Sequence, residues 1–150
     1  MRSIRFVTAC YIVSFVAYHD GEQLSTPTIA RWVNTNPSRV RQIVARLVRA
    51  GLLRSRRGGK GGVELARPAE AISLLDVFDA LGDEDMQPFA VEDPFSQWKD
   101  VCRVHDTLTR LRDDLEAQMR ARLAATRVSA LYEARVAGRG NEERREAPAK

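Results

Sequence analysis

The sequence predicts a mainly helical chain interrupted by one short β-hairpin, and three observations carry that prediction. Apolar residues recur every three or four positions through most of the N-terminal third and again between Trp98 and Met119. Two segments, Thr26-Pro27 and Asn36-Pro37, place a cap-forming residue before proline, the favoured opening of a helix. Two short stretches flank Gly58-Gly59-Lys60-Gly61, a composition that stops helices and joins strands.

Taken in order, Ile4–His19 is apolar on nearly every side, the pattern of a helix sandwiched in a core. It is shorter than the ~20 residues of a membrane span. The following "HDGEQLS" supplies no small-residue cleavage site, so a buried first helix is the reading and a signal peptide is not. Asp20-Gly21 turns the chain. Thr26 caps a second helix that runs to about Val33, with Ile29 and Val33 facing inward. After the turn "NTNP", Asn36 caps a third helix from Pro37 to Ala50, stopped by Gly51.

In that third helix Val40, Ile43, Val44, Leu47 and Val48 form an apolar stripe. The opposite side carries Ser38, Gln42, Ala45, Arg46 and Arg49, flanked by Arg39 and Arg41. "LLRSRR" and "GVELAR" are the expected strands, making a basic-tipped hairpin over 54–64. "ISLLDVFDALG" returns to helix, capped by Ser73, with Leu74, Val77, Phe78 and Leu81 inward. A helix–turn–helix followed by a basic hairpin is the layout of a winged helix–turn–helix domain, placed at 1–82.

Acidic residues and two prolines over 83–94 read as a linker. From about Phe95 to Ala125 a long amphipathic helix would span about 45 Å, more than so small a domain needs for its own core. Its stripe of Trp98, Val101, Leu108, Leu111, Leu115 and Met119 is the expected seam with a second copy of the chain, so 95–137 is assigned to dimerisation. The charged end, 138–150, is expected to be disordered.

Charge distribution says more than the net value of +4. Gln23–Val63 holds nine basic residues and no carboxylate, whereas Leu65–Asp106 holds ten acidic residues against Arg67, Lys99 and Arg103. A basic block of this kind faces a polyanion. The DNA major groove admits one helix, whose N-terminal side chains reach base edges. Ser38, Arg39, Arg41 and Gln42 are therefore the candidates for base readout on recognition helix 37–50. Arg46 and Arg49, farther along, are assigned to phosphate, as are Thr26 and Thr28 at a helix start. Arg56, Arg57 and Lys60 are the wing contacts, beside glycines that would allow close approach to a groove. The alternative is a protein-interaction module that satisfies the same arginines with an acidic partner. Polar readers such as Ser38 and Gln42 favour double-stranded DNA.

The run "IARWVNTNPSRVRQIVARLVRAGLLRSRRGGKGG" with "ARPAEAISLLDVFDALG" resembles the Rrf-two family of bacterial winged-helix regulators, of the IscR, NsrR and CymR type. The matching features are Gly51-Leu52-Leu53, Arg57-Gly58-Gly59-Lys60-Gly61-Gly62 and Ile72-Ser73-Leu74-Leu75-Asp76-Val77, and the resemblance covers about 1–131. Lys60 and Val63 stand where the family more often has Gly and Tyr. The resemblance implies a homodimeric bacterial transcription regulator, a repressor in the first instance, reading a pseudo-palindromic operator.

Many members of that family hold an iron–sulfur cluster on three closely spaced cysteines. Here Cys102 resembles the last of them, with His105 three residues on, and Gly82–Val101 contains no cysteine. One thiolate and one imidazole make a poor cluster set, so no cofactor and no metal are expected. Cys102 and His105 remain a candidate redox sensor, against the plainer reading of Cys102 as a small apolar residue on the helix seam. Phe89, Phe95 and Trp98 are candidates to line an effector pocket, again against simple packing. Two cysteines far apart suit a reducing bacterial cytoplasm. No nucleotide-binding loop, nucleophile elbow or dense cluster of His, Asp and Glu points to an enzyme.

Overall fold

Eight elements follow one another in the computed structural model, which describes residues 4–58, 61–82, 89–91 and 102–131. They are α1 (Ile4–Tyr18), α2 (Thr26–Val33), α3 (Pro37–Arg49), β1 (Leu53–Arg56), β2 (Gly62–Leu65), a 3-10 turn at Ala69–Ala71, α4 (Leu74–Leu81) and α5 (Cys102–Ala125). Helices with one small antiparallel sheet are the predicted class.

Local chemistry explains where each helix begins. Ser25, rather than Thr26, is the cap of α2: its Oγ accepts from the Thr28 N–H at 3.2 Å, and Pro27 follows where no N–H is needed. The chain leaves α2 through Asn34, a non-glycine in the left-handed region (φ 55°). Asn36 Oδ1 accepts from the Ser38 N–H at 2.7 Å and starts α3. At the other end of α3, Gly51 adopts φ +71°, its N–H donating to Val48 at 3.0 Å while Leu52 N–H donates to Leu47 at 2.9 Å. This paired closure satisfies the last carbonyls and needs a residue free of Cβ strain. Ser73 and Asp76 form a reciprocal capping box on α4.

The core is one cluster. Ile12, Val13 and Val16 of α1 meet Ile29 and Ala30 of α2, and Val40, Ile43, Val44 and Leu47 of α3. Leu52, Leu53 and Val63 of the hairpin join them, with Ile72, Val77 and Leu81 beyond. Phe15 stacks on Trp32 with centroids 4.3 Å apart, fixing α2 to α1. The expectation that α1 is enclosed holds for one side. Ile4, Val7 and Tyr11 lie on its other side and are 53–60% exposed.

Two sets of contacts cross the expected division of the chain. Val128, assigned to the dimerisation segment, is completely buried in this same core. Its N–H donates to Ile72 at 2.9 Å, and Leu74 N–H donates to Thr126 at 2.8 Å. The chain after α5 thus returns to brace the start of α4, a tertiary pairing no local pattern announces. The C-terminal half of α5 also lies on α4, where Arg120 pairs with Asp79 at 2.9 Å and sits over the Phe78 ring at 5.7 Å. Trp98, Val101 and Phe95, the tail 138–150 and all but 89–91 of the linker lie outside the described residues.

Candidate nucleic-acid interface

The α2–turn–α3 unit is built by burial on one side and leaves its other side free. The stripe predicted for α3 is buried at Val40, Ile43, Val44 and Leu47 and half-buried at Val48. Burying each such side chain contributes about 1.5–3 kcal/mol, which sets the side of the helix that faces inward. Ser38, Arg39, Arg41, Gln42, Ala45, Arg46 and Arg49 are all exposed, as the helical period requires. Among the described residues no ion pair reaches Arg39, Arg41 or Arg49.

Arg46 stands apart from them. Its Nη1 donates a hydrogen bond to the backbone carbonyl of Leu81, the last residue of α4. At 100° per residue Arg46 falls about 120° from Val40, nearer the outward pole than Arg39 or Arg41 at about 100°, so it is the contact with α4 and not the wheel that sets it apart. The wheel position was available in the sequence; the α4 terminus beside it was not.

At the start of α2, Thr26 and Thr28 are half-buried. The Thr28 hydroxyl is 2.7 Å from Ser25 Oγ and so belongs to the cap, leaving it less free for phosphate than the sequence suggested.

In the wing, Leu53 pairs with Leu65, Arg54 with Glu64, Ser55 with Val63 and Arg56 with Gly62. This register sets Glu64 among the arginines. Glu64 Oε1 is 2.7 Å from Arg54 Nε and 3.1 Å from Arg56 Nε. The basic stretch therefore receives a counter-charge from the residue just past its end. Arg57 is exposed, and Lys60 lies outside the described residues. The wing glycines serve the hairpin itself. A Cβ on Gly62 would meet the Gln23–Leu24 backbone at 2.7–2.9 Å, where Leu24 and Val63 exchange hydrogen bonds, and one on Gly61 would meet the Arg56 carbonyl at 2.6 Å.

On α5, Leu108, Leu111 and Leu115 of the expected seam are 39–48% exposed, Val104 is 60% exposed, and Met119 is half-buried. Cys102 opens that helix. His105 Nδ1 and Thr109 Oγ1, one turn apart, are buried without a hydrogen-bond partner among the described residues. Cys10 lies against the core, and burial pushes its thiol up to about 12, far from the thiolate that metal binding needs. Among the described residues no group of three or more His, Cys, Asp and Glu could hold a metal ion. No helix among the described residues is long and apolar enough to cross a membrane.

Comparison with known proteins agrees with this geometry. The family model described as "Rrf2: Iron-dependent Transcriptional regulator" matches residues 2–134. YwnA of Bacillus subtilis (strain 168), described as an HTH-type transcriptional regulator, is 32% identical over 126 residues, covering 83% of this chain and 92% of its own. The oxidised form of Staphylococcus aureus CymR superposes with a TM-score of 0.67 at 28% identity, over 89% of this chain and 97% of that one. IscR of T. potens shares the fold at a TM-score of 0.69 and 18% identity, covering 100% and 93% of the two chains. The family model and YwnA are both described as transcriptional regulators. With the capped helix pair, the free basic face of α3 and the hairpin all in place, the chain belongs to the Rrf2 family of winged helix–turn–helix transcriptional regulators.

Proposed function

We propose that this regulator binds a pseudo-palindromic DNA operator as a homodimer and represses transcription from it. The observation that carries the reading is the outward face of α3. Ser38, Arg39, Arg41, Gln42 and Arg49 are exposed together on a helix whose opposite side is locked into the core. Arg41 and Gln42, near the N-terminus of α3, are the base readers, because Arg offers two donors to guanine and Gln pairs with adenine. Arg49 neutralises phosphate, and Arg57 and Lys60 of the wing reach the flanking backbone. Arg56, drawn toward Glu64, contributes less.

Dimerisation runs through α5. Val104, Leu108, Leu111 and Leu115 follow a heptad-like spacing that the chain itself leaves uncovered. Two recognition helices related by that two-fold would read half-sites about one helical turn apart. The regulator works without an iron–sulfur cluster. The chain has two cysteines, and burial against the core pushes the Cys10 thiol up to about 12.

Fluorescence anisotropy with the DNA upstream of the protein's own gene, beside a scrambled duplex at two salt concentrations, tests the reading. Expected are preference for the upstream duplex, a steep fall in affinity with salt, and saturation at two chains per site. Arg41→Ala should erode the preference, whereas Arg49→Ala should weaken both duplexes equally. Equal weak binding of both duplexes by the unaltered protein would turn the basic face toward an acidic protein partner instead.

A further inference from the structure

We propose that Arg46 is a positioning residue of the recognition helix, holding α3 against the C-terminal end of α4 instead of contacting DNA phosphate. The proposal rests on the DNA-binding reading and adds to it a reason why α3 is presented at one fixed angle.

The last carbonyls of a helix have no partner within it and carry the negative end of its dipole, about half an elementary charge. In α4 that end lies at Leu81, followed by Gly82 at φ +82°. Arg46 reaches it across the α3–α4 contact and donates from Nη1 to the Leu81 carbonyl. The guanidinium is also the group that a Cβ on Gly82 would approach, at 3.7 Å. Arg5, Arg39, Gln42 and Arg49 line a cleft of about 450 Å³ beside Arg46 and Leu81, so the bond lies in the wall of an opening between α3 and the end of α4.

Apolar burial alone holds the inner side of α3. Apolar burial is non-directional, and any shift of the recognition helix moves every base reader at once. A directional bond from α3 to a fixed carbonyl opposes such a shift. It also occupies Arg46, whose neighbour on the outward pole, Arg49, has no such partner among the described residues. Two arginines on successive turns of one helix thus do different work.

Salt dependence separates the two roles, because every phosphate that the protein ceases to neutralise lowers the slope of log affinity against log salt by about 0.9. The experiment uses the full-length protein with the upstream and scrambled duplexes above, in the unaltered form and as Arg46→Ala, Arg49→Ala, Gly82→Ala and the Arg46→Ala/Gly82→Ala pair. Thermal melts establish that each is folded. Arg46→Ala should lose roughly tenfold on the preferred duplex, the scale of a hydrogen bond from a charged donor, and little on the scrambled one, with the salt slope kept. Arg49→Ala should lower the slope on both. Gly82→Ala strains the backbone at φ +82° just beyond the Leu81 carbonyl, changes no charge and lies outside α3; it should mimic Arg46→Ala, and the pair should be no worse than either alone.

Equal losses on both duplexes with a reduced slope for Arg46→Ala would make Arg46 a phosphate contact and overturn the proposal. Additive effects of Arg46→Ala and Gly82→Ala would do the same. If Arg46→Ala does not fold, Gly82→Ala decides alone: an unchanged preference for the upstream duplex overturns the proposal. Failure of the unaltered protein to prefer the upstream duplex would instead bring down the DNA reading itself, and the positioning role with it.

Discussion

Helices α3 and α5 carry apolar stripes at comparable three- and four-residue intervals, yet the chain covers only one of them. Val40, Ile43, Val44 and Leu47 of α3 are 0–7% exposed, while Val104, Leu108, Leu111 and Leu115 of α5 are 39–60% exposed. The periodicity of a sequence states that a helix has a side to bury; it does not state what lies against it. For α3 the answer is α1, α2, the hairpin and α4, all within the chain. For α5 the answer splits along its length. The C-terminal half rests on α4 through Arg120, Asp79 and Phe78, and the leucine seam farther back is bare. A bare seam of this length is the feature a second chain would cover.

The largest expected effect breaks the covered stripe. Leu47→Ala removes a fully buried side chain from the centre of the core and should cost about 2–5 kcal/mol. Denaturant titration should show that loss at every protein concentration, since the contact lies within one chain.

A change on the bare stripe should behave in the opposite way. Leu111→Asp should alter the folding stability of an isolated protomer by no more than about 0.5 kcal/mol, as surface substitutions do. In sedimentation it should convert dimer to monomer. It should also abolish the rise of melting temperature with concentration that is expected of the unaltered protein. A monomeric unaltered protein, or a Leu111→Asp protein that stays dimeric, would remove α5 from the interface.

The smallest effect sharpens the boundary between the two regimes, at the joint where the chain beyond α5 meets the start of α4. Ser73→Ala deletes the cap there and should cost about 0.5–2 kcal/mol. Burial raises the Asp76 carboxyl pKa, but the Ser73 N–H and hydroxyl, with Arg67 and Arg127 nearby, outweigh it and hold that group below the usual carboxylate range. A depressed folded-state pKa contributes stability above the unfolded value and loses it as pH falls through the folded one. The deficit of Ser73→Ala should therefore be full at neutral pH and narrow in acid, read as unfolding midpoints across that range.

Much of the recognition unit is legible in the sequence, because its signals are local. Asn36-Pro37 and Gly51 bound α3 as their backbone preferences require, and Ser73 caps α4 as expected. The cap of α2 lies one residue before the position the pattern predicts, since Ser25 and Thr26 offer the same hydroxyl and only backbone geometry chooses between them. Farther-reaching partners stay hidden. The approach of Glu64 to Arg54 and Arg56 depends on strand register, and the bond from Arg46 to Leu81 joins residues 35 apart in sequence. The exposed row of Ile4, Val7 and Tyr11 on α1 is unreadable for a related reason. A helix apolar on all sides does not say which side will be left over.

By itself, then, the sequence determined the order of elements, the basic outward face of α3, the family and the shortage of cluster ligands, each written in spacing, caps or composition. Tertiary structure alone decided that Val128 returns to the core, that Glu64 draws in the wing arginines, and that Arg46 faces a helix end while Arg49 faces solvent. The physical reason is range. Backbone preference and helical period act within a few residues, whereas a charge or an apolar side chain finds its partner only after the fold has brought distant segments together.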